Sequence, residues 1–220
     1  TMHAGAEASL VEYPKALVNV INAAASQMMG DLEAGRALDV GCGPGGVSFE
    51  LARTFNQVVS VEMESDVVRA AKTIQETGAV TYSVPHTVGQ VSKKTINLDQ
   101  SIDRSRLTFT LMDACCMPLH MGEFDVVVLS EILTFCLSPK SILGRMSGDH
   151  GLCKKGGLLI VASAEDWSET TCAKDAWLDG TELHEDFNLL HEANLPYTLM
   201  KHSRKFDLRI VNVRCWQRKI

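Results

Sequence analysis

Apolar residues recur along the chain at two spacings, which predict alternating helices and strands. From Leu17 to Met28 they recur three or four residues apart after Pro14, predicting an amphipathic helix with the proline in its first turn. Short apolar runs predict strands at 37–40, 58–62, 107–111, 125–129 and 158–162. Two segments with helical spacing, 47–53 and 67–74, lie between the first three of these runs and predict helices. The resulting strand–helix order predicts a parallel sheet with right-handed crossovers.

The remaining segments are predicted to complete one domain over residues 1–220. Residues 1–35 form a helical cap, and 81–106 form an insertion or hairpin before the third main strand. Leu183, Phe187 and Leu190 have helical spacing, which predicts a last helix. Residues 197–202 and 210–217 predict a closing antiparallel hairpin. The predicted fold is therefore α/β and Rossmann-like, with a mostly parallel seven-stranded sheet and helices on both faces.

Composition narrows the function classes. The chain has 220 residues, 45% hydrophobic and 22% charged, and no apolar run approaches the roughly 20 residues that span a bilayer. A formal net charge of −6 disfavours nonspecific attraction to a polyanion. We therefore expect a small-molecule substrate, with no nucleic acid and no membrane as partner.

The seven cysteines are scattered, odd in number and without a C-x-x-C pair. They suggest neither a disulfide framework nor a zinc site, and the histidines show no metal-ligand spacing, so we expect no metal. The N-terminus lacks the layout of a secretion signal, which favours a cytoplasmic setting. Thr1 in place of an initiator methionine suggests a fragment of a longer chain.

A glycine loop at 39–46, D-V-G-C-G-P-G-G, follows the first strand and opens a helix. Glycines there let a ligand approach the backbone closely. Gly41, Gly43 and Gly46 satisfy the dinucleotide pattern, whereas Gly41, Gly43 and Gly45 satisfy the G-x-G-x-G form usual in methyltransferases. The loop alone does not decide between these cofactors.

Three carboxylates at successive strand ends favour a cationic ligand over a diphosphate. Asp39 ends the first strand, where it would receive the α-ammonium of S-adenosylmethionine directly or through water. Glu62 ends the second strand and would accept the ribose hydroxyls, and Asp113 follows the third, where it would accept from the adenine amino group. Further candidate cofactor contacts lie beside these strand ends: Met63, Ala114 and Ser130. The set predicts a class I S-adenosylmethionine-dependent methyltransferase, which releases S-adenosylhomocysteine.

Downstream segments allow a narrower hypothesis by resemblance. The segments that carry it are Asp113-Ala114-Cys115, the tryptophan loop 163–167 (S-A-E-D-W), the step 177–180 (W-L-D-G), the turn 204–206 (R-K-F) and the closing 215–218 (C-W-Q-R). From about Tyr13 onward the chain resembles the methyltransferase domain of ovothiol biosynthesis enzymes, although Ser130-Glu131 stand where that family has Ala-Asn. The resemblance implies N-methylation of an imidazole nitrogen of 5-thiohistidine (4-mercaptohistidine), the last step to ovothiol. It also implies a fused or cooperating iron-dependent sulfoxide synthase.

Four side chains are candidates for acting on the acceptor. Glu131 would hold the substrate ammonium or accept an imidazole proton, although a carboxylate here also suits a helix N-terminus. Trp167 would stack on the imidazole or shield the sulfonium, although tryptophan is commonly core. Arg204 would clamp the amino-acid carboxylate, and Tyr13 would close over the cofactor; their alternatives are an exposed basic turn and a helix start.

Two other functions stay open at this stage. One is a methyltransferase of another small molecule or of a protein side chain, which would keep the same three acids. The other is a catalytically silent cofactor-binding module. A nicotinamide enzyme is disfavoured, because little chain is left for a second nucleotide-binding half.

Overall fold

A computed structural model describes residues 2–28, 32, 35–87, 90–202 and 205–220; the side chains of 2–12, 85–87, 200 and 201 are outside this description. The helices are α1 (Met2–Ser26), α2 (Gly46–Leu51), α3 (Ser65–Thr77) and α4 (Pro139–Gly144). The strands are β1 (Arg36–Val40), β2 (Gln57–Glu62), β3 (Ala79–Thr87), β4 (Gln90–Asn97), β5 (Leu107–Leu111), β6 (Phe124–Ser130), β7 (Cys153–Ser163), β8 (Phe187–His202) and β9 (Lys205–Arg218).

Seven strands form one sheet in the order β5-β2-β1-β6-β7-β9-β8. The first five strands in this order run parallel to one another, and β9 runs antiparallel to both β7 and β8. The expected mostly parallel sheet with an antiparallel C-terminal hairpin is thus confirmed. Because parallel strands end at one edge, the sheet collects the segments after β1, β2, β5, β6 and β7 there.

Both faces of the sheet are buried. On one face Val126 and Val128 of β6 pack with α1, α2 and α3 in a single core. On the other face Val127 and Leu129 pack with Ile142 of α4. Alternate residues of a strand point to opposite faces, so β6 is apolar almost throughout, as a central strand covered on both sides must be.

Helix α1 begins earlier than the spacing predicts. Pro14 lies inside it, so its placement in the first turn is wrong. Gly46, at the start of α2, leaves room for the proline ring, since a Cβ there would lie 3.1 Å from Pro14 Cγ. The ring of Pro14 therefore packs directly against the start of α2.

The segment between α3 and β5 contains a second sheet. Strands β3 and β4 pair antiparallel from Ala79↔Asn97 to Thr87↔Gln90. A hairpin therefore occupies most of the segment predicted as an insertion or hairpin. Its strand β4 is largely exposed.

The predicted last helix is wrong. Leu183 lies in a turn, and Phe187 begins β8, which continues as a strand through Leu190. The spacing of these three residues fits a helix turn, but pairing along β9 from Phe187↔Arg218 decides the conformation. Neighbouring strands outweigh a short periodic pattern here.

None of the helices in the described parts of the chain combines the length and the hydropathy needed to cross a bilayer.

Candidate cofactor and catalytic site

The glycine loop between β1 and α2 lies at the carboxyl edge of the sheet. Gly41, Gly43 and Gly45 all have positive φ, at 72°, 55° and 95°. A Cβ at Gly45 would lie 2.9 Å from the ring of Phe49, whereas one at Gly43 would meet nothing within 4 Å. Gly45 therefore lets the loop pack on the core. Gly43 instead faces open space, where a ligand can approach the backbone.

Asp39 lies beneath this loop at the end of β1. It is 1% exposed, and its Oδ2 accepts a hydrogen bond of 2.6 Å from Ser48 Oγ. Ser60 Oγ donates in turn to Ser48 Oγ at 2.9 Å. Burial raises the pKa of the Asp39 carboxyl to about 6, partly opposed by the Ser48 hydrogen bond and reinforced by the charge of Glu62. The carboxylate thus lies behind the loop, bonded within the protein.

A hydrogen bond to the Glu62 carboxylate connects the glycine loop to the end of β2. Its Oε2 accepts from Gly43 N at 3.0 Å, and its Oε1 accepts from Met63 N at 2.8 Å and Glu64 N at 3.1 Å. A carboxylate has about four acceptor positions. Three are used here, which leaves one for a ligand hydroxyl.

Asp113 lies one strand further along the same edge. It is exposed, and its Oδ1 accepts from Cys115 N at 2.8 Å, capping the short 3-10 helix Ala114–Cys116. Ala114 is buried below it. Met63 and Leu111 are 61% and 55% exposed beside the two acids. This combination fits a nucleoside, because the carboxylates can accept hydrogen bonds from its polar groups and the apolar side chains can cover the faces of its flat base.

Ser130 and Tyr13 meet at the end of β6. Their hydroxyl oxygens are 3.0 Å apart in a hydrogen bond. Tyr13 is 6% exposed, and its ring centroid lies 4.7 Å from that of Tyr197 on β8. Burial raises the pKa of Tyr13 above its ordinary value. Helix α1 therefore packs against the C-terminal hairpin beside the cofactor edge.

Glu131 has a strained backbone and buried partners. Its φ is 56°, in the left-handed region that few residues other than glycine adopt. Its Oε1 accepts from Ala164 N at 2.6 Å, and its Oε2 lies 3.5 Å from Arg209 Nη1. Arg209 Nη2 also lies 3.5 Å from Asp166 Oδ2. Burial raises the pKa of the Glu131 carboxyl, although the Ala164 and Arg209 hydrogen bonds oppose the shift.

Trp167, the predicted aromatic residue of the site, stacks on a second tryptophan, Trp177. The rings of Trp167 and Trp177 are 6.0 Å apart and nearly parallel, at 22°. Trp177 Nε1 donates to Cys172 O, which fixes its ring. Glu165, two residues before Trp167, has φ 54°. The strained residues Glu131 and Glu165 thus follow the adjacent strands β6 and β7.

The structure brings together most of the predicted residues and adds others. Arg204, the predicted carboxylate clamp, lies outside the described residues. The arginine that the structure places beside Glu131 is Arg209, which sequence reasoning missed. It is one of five charged residues in β9, so no local pattern in the sequence singles it out. Ser48, the partner of Asp39, was also missed.

The described residues contain no group of three or more histidine, cysteine, aspartate or glutamate side chains placed to hold a metal ion.

Comparison with known proteins decides the family. The sequence profile described as "Methyltransferase domain" matches residues 38–161, more than half of the chain, from β1 to near the end of β7. The chain belongs to the methyltransferase family. None of the curated protein sequences compared with this methyltransferase matches it significantly.

Solved structures agree with the methyltransferase fold. A protein studied for the conversion of a disulfide bond into a thioacetal group in echinomycin biosynthesis is 15% identical, with a TM-score of 0.58 over 93% of this chain and 81% of its own. YcgJ of Bacillus subtilis is 9% identical, with a TM-score of 0.57 over 90% of this chain and 97% of its own. The N-methyltransferase NodS of Bradyrhizobium japonicum, in complex with S-adenosylhomocysteine, is 14% identical, with a TM-score of 0.53 over 90% of this chain and 86% of its own.

Family and fold together confirm the expected class I methyltransferase that uses S-adenosylmethionine. The open loop at Gly43 and the exposed acids beside Met63 and Leu111 provide a surface that fits this cofactor.

Proposed function

We propose that this methyltransferase transfers the methyl group of S-adenosylmethionine to an imidazole nitrogen of 5-thiohistidine (4-mercaptohistidine), giving ovothiol. The observation that carries the proposal is the half-buried pair of Glu131 and Arg209 next to Ser130. An amino-acid acceptor brings a carboxylate and an ammonium to the site, and one acid and one arginine match both groups. The resemblance of the tryptophan loop, the W-L-D-G step and the R-K-F turn supports thiohistidine as that amino acid.

The cofactor would lie along the carboxyl edge from β1 to β5. Glu62 would accept from the ribose hydroxyls through its remaining acceptor position while it still holds Gly43 N. Asp113 and Ala114 would meet the adenine, and Met63 would cover its face. Asp39, fully buried, would act on the methionine ammonium through the negative potential that it places behind Gly41, Gly43 and Gly45, or through an intervening water.

The acceptor would lie between the part of the β8–β9 hairpin that carries Arg209 and the segments after β6 and β7. Arg209 would bind the substrate carboxylate, with Arg204 as a second clamp. Glu131 would accept a hydrogen bond from the substrate ammonium or imidazole. Trp167 would lie against the ring, and Tyr13, bonded to Ser130, would exclude water above the methyl group.

Bound S-adenosylmethionine supplies an electrophilic methyl carbon, so the nitrogen–carbon bond forms as the carbon–sulfur bond breaks and the electron pair leaves with sulfur. The protein's contribution is alignment of the acceptor nitrogen behind that carbon. Glu131, whose carboxyl has a raised pKa, suits the removal of the proton that the methylated ring must lose. A thiolate on the acceptor would make the ring electron-rich, so a strong protein base is unnecessary.

We further propose that the enzyme acts in the cytoplasm and is fused to, or works with, an iron-dependent sulfoxide synthase that supplies the thiolated histidine. Support for this comes from the resemblance described above. An N-acceptor also agrees with the fold likeness to NodS, an N-methyltransferase.

The test is turnover of purified protein with S-adenosylmethionine, followed by mass spectrometry. We expect methylated 5-thiohistidine and an equal amount of S-adenosylhomocysteine, with histidine, which lacks the thiol, methylated far less. Arg209→Gln should raise KM for thiohistidine about tenfold or more by removing a charged hydrogen-bond donor. Arg106→Gln is the matched control, since Arg106 also pairs with an aspartate but at the opposite end of the sheet.

Another acceptor fits the same cofactor residues equally well, and a panel of small molecules and peptides separates the two. Methylation of an unrelated acceptor with thiohistidine left unmethylated would overturn the proposal. Binding of S-adenosylhomocysteine without turnover of any substrate would instead indicate the silent module.

A further inference from the structure

Tyr197 of β8 lies on the face of the C-terminal hairpin that carries Arg209. The two residues are direct partners in the register of β8 and β9, so their side chains leave the sheet side by side. This face packs with α1 in the core, and Tyr197 packs against that core. Arg214, five residues after Arg209, points to the opposite face and pairs with Glu165 at 2.9 Å. Tyr197 therefore shares the face of the proposed acceptor site.

The contacts of Tyr197 place it beside the end of β6. Its ring centroid lies 4.7 Å from that of Tyr13. The Tyr13 hydroxyl is hydrogen-bonded to Ser130 at 3.0 Å, and the next residue, Glu131, lies 3.5 Å from Arg209. Because Arg209 is the strand partner of Tyr197, these five residues form a closed ring of neighbours at the end of β6.

The hydroxyl of Tyr197 is available to a ligand. It makes no hydrogen bond within the part of the chain that the structure describes, unlike the hydroxyl of Tyr13. The half-buried Tyr197 is also not among the described residues with a polar atom that is both unpaired and closed off from solvent. A ligand can therefore reach this hydroxyl, and partly buried tyrosine hydroxyls usually have a hydrogen-bond partner.

The surroundings of this hydroxyl make it a hydrogen-bond donor. Burial raises the pKa of Tyr197 above its ordinary value, and the charge of Glu131 adds to the shift, whereas Arg209 opposes it. The phenol therefore keeps its proton at neutral pH. On an amino-acid acceptor, Glu131 suits the ammonium and Arg209 suits the carboxylate. An anionic substituent on the ring is the group that remains for a neutral donor.

We propose that Tyr197 is a further acceptor-binding residue, whose hydroxyl donates a hydrogen bond to the thiolate of 5-thiohistidine and so selects the thiolated ring over histidine. This inference rests on the proposed function. A hydrogen bond to a charged sulfur strengthens the binding of the thiolated amino acid alone, because histidine has no acceptor atom at that position. Arg209 would bind the carboxylate of both amino acids alike.

Calorimetry on protein saturated with S-adenosylhomocysteine measures this selection without turnover. We expect 5-thiohistidine to bind the natural protein more tightly than histidine does. Tyr197→Phe should weaken the binding of 5-thiohistidine about tenfold or more, because one hydrogen bond to a charged group is lost, and should leave the affinity for histidine nearly unchanged. Phenylalanine keeps the ring packed on Tyr13, and an unchanged affinity for S-adenosylhomocysteine would confirm that the variant is folded.

Tyr82→Phe is the matched control. The chain has three tyrosines, and Tyr82 lies on β3, in the separate two-stranded sheet. This variant should bind both amino acids as the natural protein does. Arg209→Gln, in contrast, should weaken both amino acids together.

Two results with Tyr197→Phe would overturn the inference and leave the proposed function standing. Equal weakening of 5-thiohistidine and histidine would show that Tyr197 only shapes the site, and unchanged affinity for both would show that no hydrogen bond forms. Equal affinity of the natural protein for the two amino acids would have the same consequence. Absence of saturable 5-thiohistidine binding to the natural protein would overturn both the inference and the proposed function.

Discussion

Asp39 is 1% exposed at the end of β1, and burial raises the pKa of its carboxyl from 3.8 to about 6. Below about pH 4 the group is protonated in both the folded and the unfolded chain. As pH rises from about 4 to 6, the unfolded chain releases its proton while the folded chain keeps it. The free energy of unfolding therefore falls by about 3 kcal/mol through this window and changes no further above it.

Asp39→Asn should remove this dependence on pH. The asparagine oxygen still accepts from Ser48 Oγ, but no charge is buried. We expect the stability of the variant relative to the natural protein to increase by about 3 kcal/mol between pH 4 and pH 7. Urea denaturation at both pH values measures this difference. A difference that does not vary with pH would show that Asp39 is ionised at its ordinary pKa.

Asp113 and Asp103 form a matched pair for testing the cofactor edge. The carboxylate of each aspartate accepts a hydrogen bond from the backbone N–H two residues later and so caps a 3-10 helix. The helix that Asp103 caps precedes β5, and the helix that Asp113 caps follows it. We expect Asp113→Ala to weaken S-adenosylhomocysteine binding about tenfold or more by calorimetry, because a charged acceptor for the adenine amino group is lost.

Asp103→Ala also removes a helix cap, together with the exposed ion pair to Arg106, and should lower stability slightly. It should leave the affinity for S-adenosylhomocysteine unchanged. Equal losses of affinity in the two variants would mean that the effect comes from capping and not from the cofactor.

The acids at the strand ends could be predicted because their neighbours in the sequence determine their place at the edge. The glycine loop that follows Asp39 places this residue at the end of its strand. Glu62 and Asp113 are placed in the same way by the ends of two apolar runs. Arg209 could not be predicted in this way. Its position beside Glu131 depends on the register of β9 across β7 and β8, which no local pattern encodes.

Among the secondary-structure elements, those with a long apolar pattern were predicted, whereas the first part of β8 was not. Leu189 and Leu190 are consecutive and almost equally exposed, at 44% and 45%, so this stretch lacks the clean alternation of a half-buried strand. Its strand conformation depends on hydrogen bonds from β9.

Besides its apolar packing in the core, helix α1 contacts the C-terminal strands and the end of β6 through Tyr13, whose hydroxyl pair and ring contact can be tested separately. Tyr13→Phe removes the hydrogen bond to Ser130 and should lower the free energy of unfolding by about 1 kcal/mol. Tyr197→Phe keeps the ring contact with Tyr13 and should cost less. Chemical denaturation gives both values. A larger loss in Tyr197→Phe would contradict the role given to the Tyr13 hydroxyl.

At the scale of the whole molecule, Arg218 ties the end of the chain to the amino ends of the parallel strands. It is 7% exposed and donates to Cys153 O and Gly148 O, each at 2.6 Å. Arg218→Ala would leave two carbonyls without their charged donor. We expect a loss of about 3 kcal/mol of stability in denaturation experiments, with the affinity for S-adenosylhomocysteine unchanged in the protein that stays folded.

Lys219 is the control for Arg218. It also donates to two carbonyls, His184 O and Glu185 O, but it is exposed. Water can replace its bonds, so Lys219→Ala should cost well under 1 kcal/mol. Equal costs for the two variants would show that burial does not strengthen the Arg218 bonds.

The overall topology could be predicted because alternating strands and helices leave few arrangements for a sheet covered on both faces. The length of the C-terminal hairpin could not. Strand β9 extends past the carboxyl end of β7, where it is paired only with β8.

The five-residue interval between Arg209 and Arg214 makes the hairpin sensitive to changes of length. Deleting or inserting one residue between them would turn both arginines toward the same face of the sheet. Either Glu131, the partner of Arg209, or Glu165, the partner of Arg214, would then lose its cation, and an apolar side chain would take the place of that cation. Engineering of this hairpin should therefore keep the number of residues between Arg209 and Arg214 unchanged, and should also keep the buried core residues Val211 and Val213.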